Sequence, residues 1–240
     1  MSLPFPYRAV PAVLAGAVTA LLVACTPSNA AGAAVPDSVP AATPPAAVTP
    51  AAAPAPAPAP APVAATATAA SALSIPAAGV TGLRVVPYEG TTDDVAGTRI
   101  QDLGVAASPY GKRGGVGPGQ VGNFLITAHR LSAGGPLGHL PAVGPGDTVL
   151  VTVGEVVYTY EITATRKTSF RSERSLSEQR AAVPGTPGAA PTQAMITIST
   201  CATPEDHAEG NFWKDAQGNP EHRIDKIGVL RKTSAAAPAG

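Results

Sequence analysis

One cysteine stands at the end of a strand-like run of residues. Residues 195–200 are rich in β-branched side chains and alternate between apolar and polar from Ile196 to Ser199, as a strand does, and Cys201 follows them directly. The other cysteine of the chain, Cys25, lies near the N-terminus. Because a thiolate attacks carbonyl carbons, a thiol at a strand end beside a polar loop is well placed for nucleophilic chemistry.

Two further residues stand at strand ends in a similar way. His129 ends the apolar run 124–128, and Arg223 begins the run 223–230. A histidine can take the proton of a thiol and later give it to a leaving amine. An arginine can stabilise an oxyanion or hold a substrate backbone. The three together predict acyl transfer, although each alone is equally typical of a buried thiol, a surface histidine or an edge-strand charge.

The remaining polar candidates carry weaker signals. Three histidines are predicted to lie in loops or at the surface: His139, His207 and His222. Four acidic residues of the loop 202–222 match no metal-ligand spacing and are predicted to be solvated: Glu205, Asp206, Glu209 and Asp215. Phe212 and Trp213 either line a substrate groove or anchor the same loop. The sequence therefore predicts no metal site.

The elements that must position these residues are mostly strands. The patterns predict strands at 83–87, 98–105, 123–128, 148–153, 156–163, 164–169, 195–200 and 223–230. Gly154-Glu155 joins two of them as a type II′ hairpin turn. A turn and a short helix are predicted for residues 130–140. Loops are predicted for residues 111–122, 170–193 and 202–222, and the loop 170–193 is expected to contain one helical turn. Seven or eight short strands with few helices predict a β-barrel or a β-sandwich.

The N-terminal residues 1–25 predict an export signal. Arg8 precedes an apolar stretch, residues 9–24, which is shorter than the roughly 20 residues that a membrane-spanning helix needs. Leu22-Val23-Ala24-Cys25 resembles a bacterial lipobox, in which the cysteine is lipidated; an uncleaved signal anchor and plain secretion are the alternatives. All three place the rest of the chain outside the cytoplasm. A disulfide between Cys25 and Cys201 is disfavoured by the length of chain between them.

The rest of the chain divides by composition. Residues 26–73 are rich in proline and alanine and predict a disordered, extended linker. Residues 74–232 have the size of one domain, and 233–240 predict a flexible tail. The formal net charge is +0 with no basic block, which argues against nucleic acid as a partner.

Four motifs resemble those of the sortase family, and they follow one another along the chain in the family's order. Thr197-Ile198-Ser199-Thr200-Cys201 resembles the sortase signature Thr-Leu-x-Thr-Cys, with Ile198 in place of leucine. Residues 122–130 resemble the strand that ends in the catalytic histidine, and 144–147 resemble the Pro-Gly-Asp turn. Arg223 stands where sortases carry the catalytic arginine. The resemblance covers residues 81–231 and is closest to the class E sortases of high-GC Gram-positive bacteria. The long segment 202–222 and the lipobox depart from the family pattern.

The resemblance implies a mainly β fold, a closed eight-stranded sortase-type β-barrel with one or two short helices. It implies that Cys201 cleaves the Thr–Gly bond of a C-terminal sorting signal, Leu-Ala-x-Thr-Gly or Leu-Pro-x-Thr-Gly, through a thioacyl intermediate. The acceptor would be an amine of a peptidoglycan precursor or a pilin lysine. His129 would act as general acid and base, and Arg223 would hold the substrate or oxyanion. No cofactor would be needed. The residues expected near the substrate are Thr200, Thr197 and Arg130.

Other functions are compatible with parts of the sequence. A non-catalytic binding lipoprotein on a stalk fits the signal and the linker, but leaves Cys201, His129 and Arg223 unexplained. A hydrolytic cysteine protease differs from a sortase only in whether water or an amine resolves the acyl-enzyme. An L,D-transpeptidase is disfavoured because Ser199-Thr200 precede the cysteine, where that family has a Ser-x-Gly-Cys motif.

Overall fold

The computed structural model of the protein describes residues 64–236. They belong to the second of two units of the chain, Ala57–Gly240; the first, Met1–Pro56, lies outside the described residues. The predicted export signal and almost all of the predicted linker therefore also lie outside them. Within the described residues, no helix is long and apolar enough to cross a membrane.

Eight strands close into one barrel. They are β1 (Ser71–Ile75), β2 (Val80–Glu89), β3 (Ala106–Tyr110), β4 (Gly122–Thr127), β5 (Thr148–Val153), β6 (Val156–Ser169), β7 (Ala194–Cys201) and β8 (His222–Ala235). Their order around the barrel is β1-β2-β3-β4-β7-β8-β6-β5, and β5 pairs with β1 to close it. The predicted closed eight-stranded barrel is confirmed.

Three α-helices lie between the strands: α1 (Val95–Gln101), α2 (Glu173–Arg180) and α3 (Thr203–Ala208). The sequence predicted one or two. The predicted strand at 98–105 is wrong, because α1 occupies its first half. Asp94 caps this helix by accepting a hydrogen bond from the Gly97 N–H at 2.8 Å, a local signal that favours a helix over a strand. α2 likewise replaces the single helical turn expected in 170–193, and its N-cap is Ser172.

Three strands carry the predicted site residues to one end of the barrel. β4 runs parallel to β7, with Thr127 opposite Ser199, and β8 runs antiparallel to β7. In the β7–β8 ladder Cys201 lies directly opposite Arg223. The end of β4, the end of β7 and the start of β8 therefore meet.

The two faces of β7 have different surroundings because side chains alternate along a strand. Ile196 and Ile198 point into the barrel and pack in the core with Phe124 and Ile126 of β4. Thr197, Ser199 and Cys201 consequently belong to the outer face. α2 covers part of this face through Gln179, which is buried and donates a hydrogen bond to the Ser199 hydroxyl.

The strand limits differ in detail from those predicted. β1 crosses the expected linker boundary at residue 73, and β8 runs on to Ala235, past the expected end of the domain at 232. β6 is one strand where two were expected, with an irregularity between Ile162 and Ala164. The predicted hairpin turn between β5 and β6 is present: Gly154 has φ 54°, and Glu155 keeps a negative φ, as a type II′ turn requires.

Candidate active site

Cys201 and His129 line the same cavity. Its volume is about 290 Å³. The walls come from the end of α1, the segment after β4, the start of α3 and the β7–β8 loop. The lining residues are Thr98, Asp102, His129, Arg130, Leu131, Ser132, Cys201, Thr203, Lys214, Gln217, Gly218, Asn219 and Pro220. The structure thus brings together a thiol and an imidazole that are 72 residues apart in sequence, in a space that is open to a ligand.

His129 is held by a carboxylate from a different element. Its Nε2 lies 2.8 Å from Oδ1 of Asp102, the residue that follows α1. The imidazole side chain is 12% exposed, whereas that of Asp102 is 59% exposed. Cys201, His129 and Asp102 all line this cavity, so a thiol, an imidazole and a carboxylate surround one space.

Arg223 lies behind the wall of this cavity and is 1% exposed. Its Nη1 donates to the carbonyl oxygen of Pro220, a lining residue, at 3.3 Å. Its Nε donates to Oδ2 of Asp93 at 2.8 Å, and the guanidinium carbon lies 4.3 Å from the centre of the Phe170 ring. Its Nη2 is buried and has no hydrogen-bond partner among the described residues.

Several influences act on the thiol of Cys201. Burial raises its pKa above the ordinary value and is the largest of them. The charges of Arg223 and Arg130 lower the pKa, and those of Asp93 and Asp215 raise it. The net shift is upward, so the thiol form is favoured at neutral pH and the two arginines limit that preference.

The residues expected near a substrate lie in different places. Arg130 lines the cavity; its Nη1 donates to the Cys201 carbonyl oxygen at 3.3 Å and pairs with Glu205. Thr197 and Thr200 are buried. The Thr197 hydroxyl donates to Asn123 Oδ1 at 2.8 Å, and that of Thr200 donates to the Ala128 carbonyl oxygen at 2.9 Å. Both threonines therefore tie β7 to β4 and its continuation, and neither lines the cavity.

The acidic residues of the loop after β7 are each engaged by the protein. Glu205 pairs with Arg130, Glu209 lies 3.2 Å from Lys167, and Asp215 accepts backbone hydrogen bonds from Gln217 and Asn219. Asp206 is buried, and its Oδ1 lies 2.7 Å from Nδ1 of His222. His222, which is predicted from the sequence to be a loop or surface histidine, is therefore bound to a buried carboxylate. α3 is thereby tied to the start of β8. Phe212 is exposed and packs on the ring of His207.

Asp93 and Asp102 were not found from the sequence. Each contacts its partner across a long stretch of chain, 130 residues for Asp93 and 27 for Asp102. The only local signal in this region was the capping position of Asp94, which marks the start of α1. No periodic pattern connects a loop aspartate with a distant strand.

The family model of the sortase domain matches residues 73–216, more than half of the chain. The chain belongs to the sortase family. Sortases are cysteine transpeptidases, and this one has the family's barrel with a cysteine at the end of β7. The matched segment includes Cys201 and His129 and ends before Arg223. No curated protein sequence matches this sortase.

Solved structures with the same fold are sortases as well. The sortase SrtA from Actinomyces oris superposes with a TM-score of 0.53 at 18% identity, over 72% of this chain and 86% of that one. Sortase E from Streptomyces avermitilis gives 0.51 at 23% identity, over 71% and 93%. Sortase E1 from Streptomyces coelicolor, solved with a tripeptide in the active site, gives 0.52 at 18% identity, over 70% and 91%. These similarities support the barrel fold.

Proposed function

We propose that this sortase uses Cys201 to cleave the Thr–Gly bond of a C-terminal sorting signal and transfers the new acyl group to an amine. The observation that carries the proposal is the shared cavity: Cys201 and His129 line it, and Arg223 stands opposite Cys201 in the β-ladder behind its wall. A nucleophile, a proton carrier and a fixed positive charge are what acyl transfer through a thioester requires.

The first half of the reaction makes the thioester. His129 accepts the proton of the Cys201 thiol, the thiolate attacks the threonine carbonyl carbon, and the carbonyl oxygen becomes negatively charged. The Arg223 charge stabilises this oxyanion, and its Nη2, which lacks a hydrogen-bond partner among the described residues, is the donor left for the oxygen. His129 protonates the departing glycine amine, so that the C–N bond breaks and the acyl group stays on the sulfur.

The second half reverses these roles. An acceptor amine attacks the thioester carbonyl, His129 accepts the proton from the amine nitrogen, and Cys201 leaves as the thiolate. The acceptor is an amine of a peptidoglycan precursor or a pilin lysine. The sorting signal is Leu-Ala-x-Thr-Gly in preference to Leu-Pro-x-Thr-Gly, which rests on the resemblance of residues 81–231 to class E sortases.

Mass spectrometry of a peptide reaction tests this function. The segment Ala57–Gly240 is mixed with a peptide that contains Leu-Ala-x-Thr-Gly, with and without a glycine-based amine, and C201A is measured in parallel. We expect cleavage after threonine, joining of the amine to the new end, and loss of both in C201A. A Leu-Pro-x-Thr-Gly peptide measures the signal preference. Cleavage by water alone in the presence of several amines would contradict the transpeptidase assignment of this site.

We also propose that the enzyme acts outside the cytoplasm while tethered to the membrane through its N-terminus. The support is the apolar segment 9–24 with the lipobox-like ending at Cys25, and the proline-rich linker after it. A tether raises the effective concentration of enzyme and membrane-held substrates. Metabolic labelling with a fatty acid should mark the wild type and fail to mark C25S; a C25S protein that stays in the membrane fraction would favour the signal anchor.

A further inference from the structure

The buried carboxylate of Asp93 binds the candidate catalytic arginine, Arg223, although the two residues are 130 positions apart in the sequence. Oδ2 of Asp93 accepts a hydrogen bond from Nε of Arg223 at 2.8 Å, and the two side chains are 4% and 1% exposed. Asp93 lies between β2 and α1, and Arg223 lies near the start of β8. A buried ion pair of this kind is weak evidence for stability, because the cost of removing two charges from water offsets their attraction. Its position beside Cys201 suggests a different use.

The second oxygen of Asp93 is also fixed. Oδ1 accepts a hydrogen bond from Nε2 of Gln101 at 2.7 Å, and Gln101 is buried at the end of α1. The backbone of Asp93 has φ 56°, in the left-handed region, which aspartate and asparagine adopt more readily than most residues. The carboxylate is therefore held at both oxygens and at its backbone, and it offers Arg223 a single geometry.

The contacts of Arg223 leave one nitrogen for another partner. Asp93 takes Nε, and Nη1 faces the carbonyl oxygens of Pro220 and His222 at 3.3 and 3.4 Å. The Phe170 ring packs on the guanidinium plane. Of the three guanidinium nitrogens, only Nη2 has no hydrogen-bond partner among residues 64–236. A buried donor without a partner is costly, and a substrate oxygen would satisfy it.

We propose that Asp93 is a positioning residue for Arg223: it fixes Nε, and so keeps Nη2 available for the oxygen of the substrate carbonyl. The inference rests on the proposed role of Arg223. Asp93 touches no reacting atom, and its effect on the reaction passes through the arginine.

The test exchanges hydrogen-bonding groups without moving atoms. In Asp93→Asn the side chain keeps its shape and tolerates the positive φ, but its NH₂ group faces either Arg223 or Gln101, both of which donate. In the double variant D93N/Q101E, the asparagine NH₂ donates to the new glutamate, and its oxygen accepts from Arg223. The neighbouring Asp94→Asn is the matched control: it also turns an NH₂ group toward a donor, the N–H of Thr91 or of Gly97, but Asp94 makes no hydrogen bond or ion pair with Arg223 among the described residues.

Turnover is measured with the full chain in detergent and divided by the folded fraction of each variant, which is taken from urea unfolding followed by circular dichroism. A purely structural role would lower the folded fraction and leave turnover per folded molecule unchanged. We expect D93N to lower kcat per folded molecule roughly 10- to 100-fold, with KM within about threefold, as losing the aim of one oxyanion donor does. D93N/Q101E should recover most of this loss, and D94N should stay within about twofold of wild type.

A double-mutant cycle with R223A separates the two claims. D93N/R223A should be no slower than R223A alone, because Asp93 acts only through the arginine. A slow R223A together with a wild-type kcat in D93N would overturn the positioning role and leave the proposed function intact. An R223A enzyme within about tenfold of wild type would overturn both. A faster D93N would show that Asp93 restrains Arg223, and would overturn the proposal. If D93N does not fold, D93N/Q101E decides alone. A kcat of D93N/Q101E as low as that of R223A would overturn the proposal.

Discussion

Cys201 carries a thiol whose pKa is raised by burial and only partly lowered by the neighbouring Arg223. The thiolate is therefore the minor form at pH 7 and increases as the pH rises. We expect the rate of Cys201 alkylation by iodoacetamide to rise with pH to a midpoint above the ordinary thiol value of about 8.5. The measurement uses Ala57–Gly240, in which Cys201 is the only cysteine.

The matched variant for this titration is R223A. Removing the guanidinium removes the largest of the charges that lower the pKa of Cys201, so the alkylation midpoint should move to still higher pH. A midpoint below pH 8 in the wild type, or an unchanged midpoint in R223A, would contradict this account of the thiol.

His129 and Asp102 should contribute very differently. H129A removes the general acid and should cost on the order of 3 kcal/mol of transition-state stabilisation. D102A removes only an orienting partner that is mostly exposed, and an exposed pair contributes about 1 kcal/mol or less, so a loss of about fivefold in kcat/KM is expected. Steady-state kinetics on a sorting peptide compares the two, and a D102A enzyme as slow as H129A would show that the carboxylate is indispensable.

The placement of single residues was predictable where it followed from strand ends. Cys201, His129 and Arg223 each stand where an apolar run begins or ends, and the barrel brings those ends together. Thr197 and Thr200 lie within the same motif, yet their hydroxyls bind the neighbouring strand. A motif fixes which residues are present, but strand alternation and packing decide which of them face a cavity.

At the scale of elements, one buried amide of α2 contacts three separate segments of the chain. Gln179 accepts a hydrogen bond from Thr92, in the loop before α1, and donates to Ser199 of β7 and Asp225 of β8. In Q179A the Thr92 hydroxyl loses its partner, and the buried Asp225 carboxylate loses the hydrogen bond from Gln179 while it keeps the one from Thr168. An unsatisfied buried group costs about 1–3 kcal/mol. We expect the free energy of unfolding, measured with urea, to fall by at least about 2 kcal/mol.

The control for Q179A is R174A on the same helix. The Arg174 side chain is exposed and pairs only with Glu178, so its loss should change the free energy of unfolding by less than about 0.5 kcal/mol.

Burial raises the pKa of Asp225, and the hydrogen bond from Gln179 lowers it. Because a raised native pKa lowers stability as the pH rises above the unfolded value, Q179A should lose more at pH 7 than at pH 4.

Element types could be predicted where a periodic pattern was long. β7 and the β5–β6 hairpin have clear alternation, and both were expected. β1 has only five residues and contains serine and alanine, which carry little β-propensity, so its first three residues are not distinguishable from the linker by pattern. The pattern of residues 98–105 predicts a strand, because periodicity alone does not register the capping aspartate that starts α1.

At the scale of the whole molecule, the closed barrel holds the site. Strands of a barrel have no free edge, and the ends of β4, β7 and β8 are fixed by pairing on both sides. Removing one strand leaves two edges unpaired and opens the core to water. The limits of the folded segment therefore determine whether the active site exists at all.

Truncations test these limits. A protein that begins at residue 74, the expected domain start, lacks most of β1 and with it the pairing that closes β2 against β5. We expect it to be insoluble or unfolded, whereas Ala57–Gly240 should fold and transfer acyl groups. A start at residue 71 should be intermediate, because it loses the hydrogen bond from Ala65 N–H to the Pro118 carbonyl oxygen. Thermal unfolding followed by circular dichroism ranks the three, and equal stability of the proteins starting at 57 and 74 would show that β1 is not needed to close the barrel.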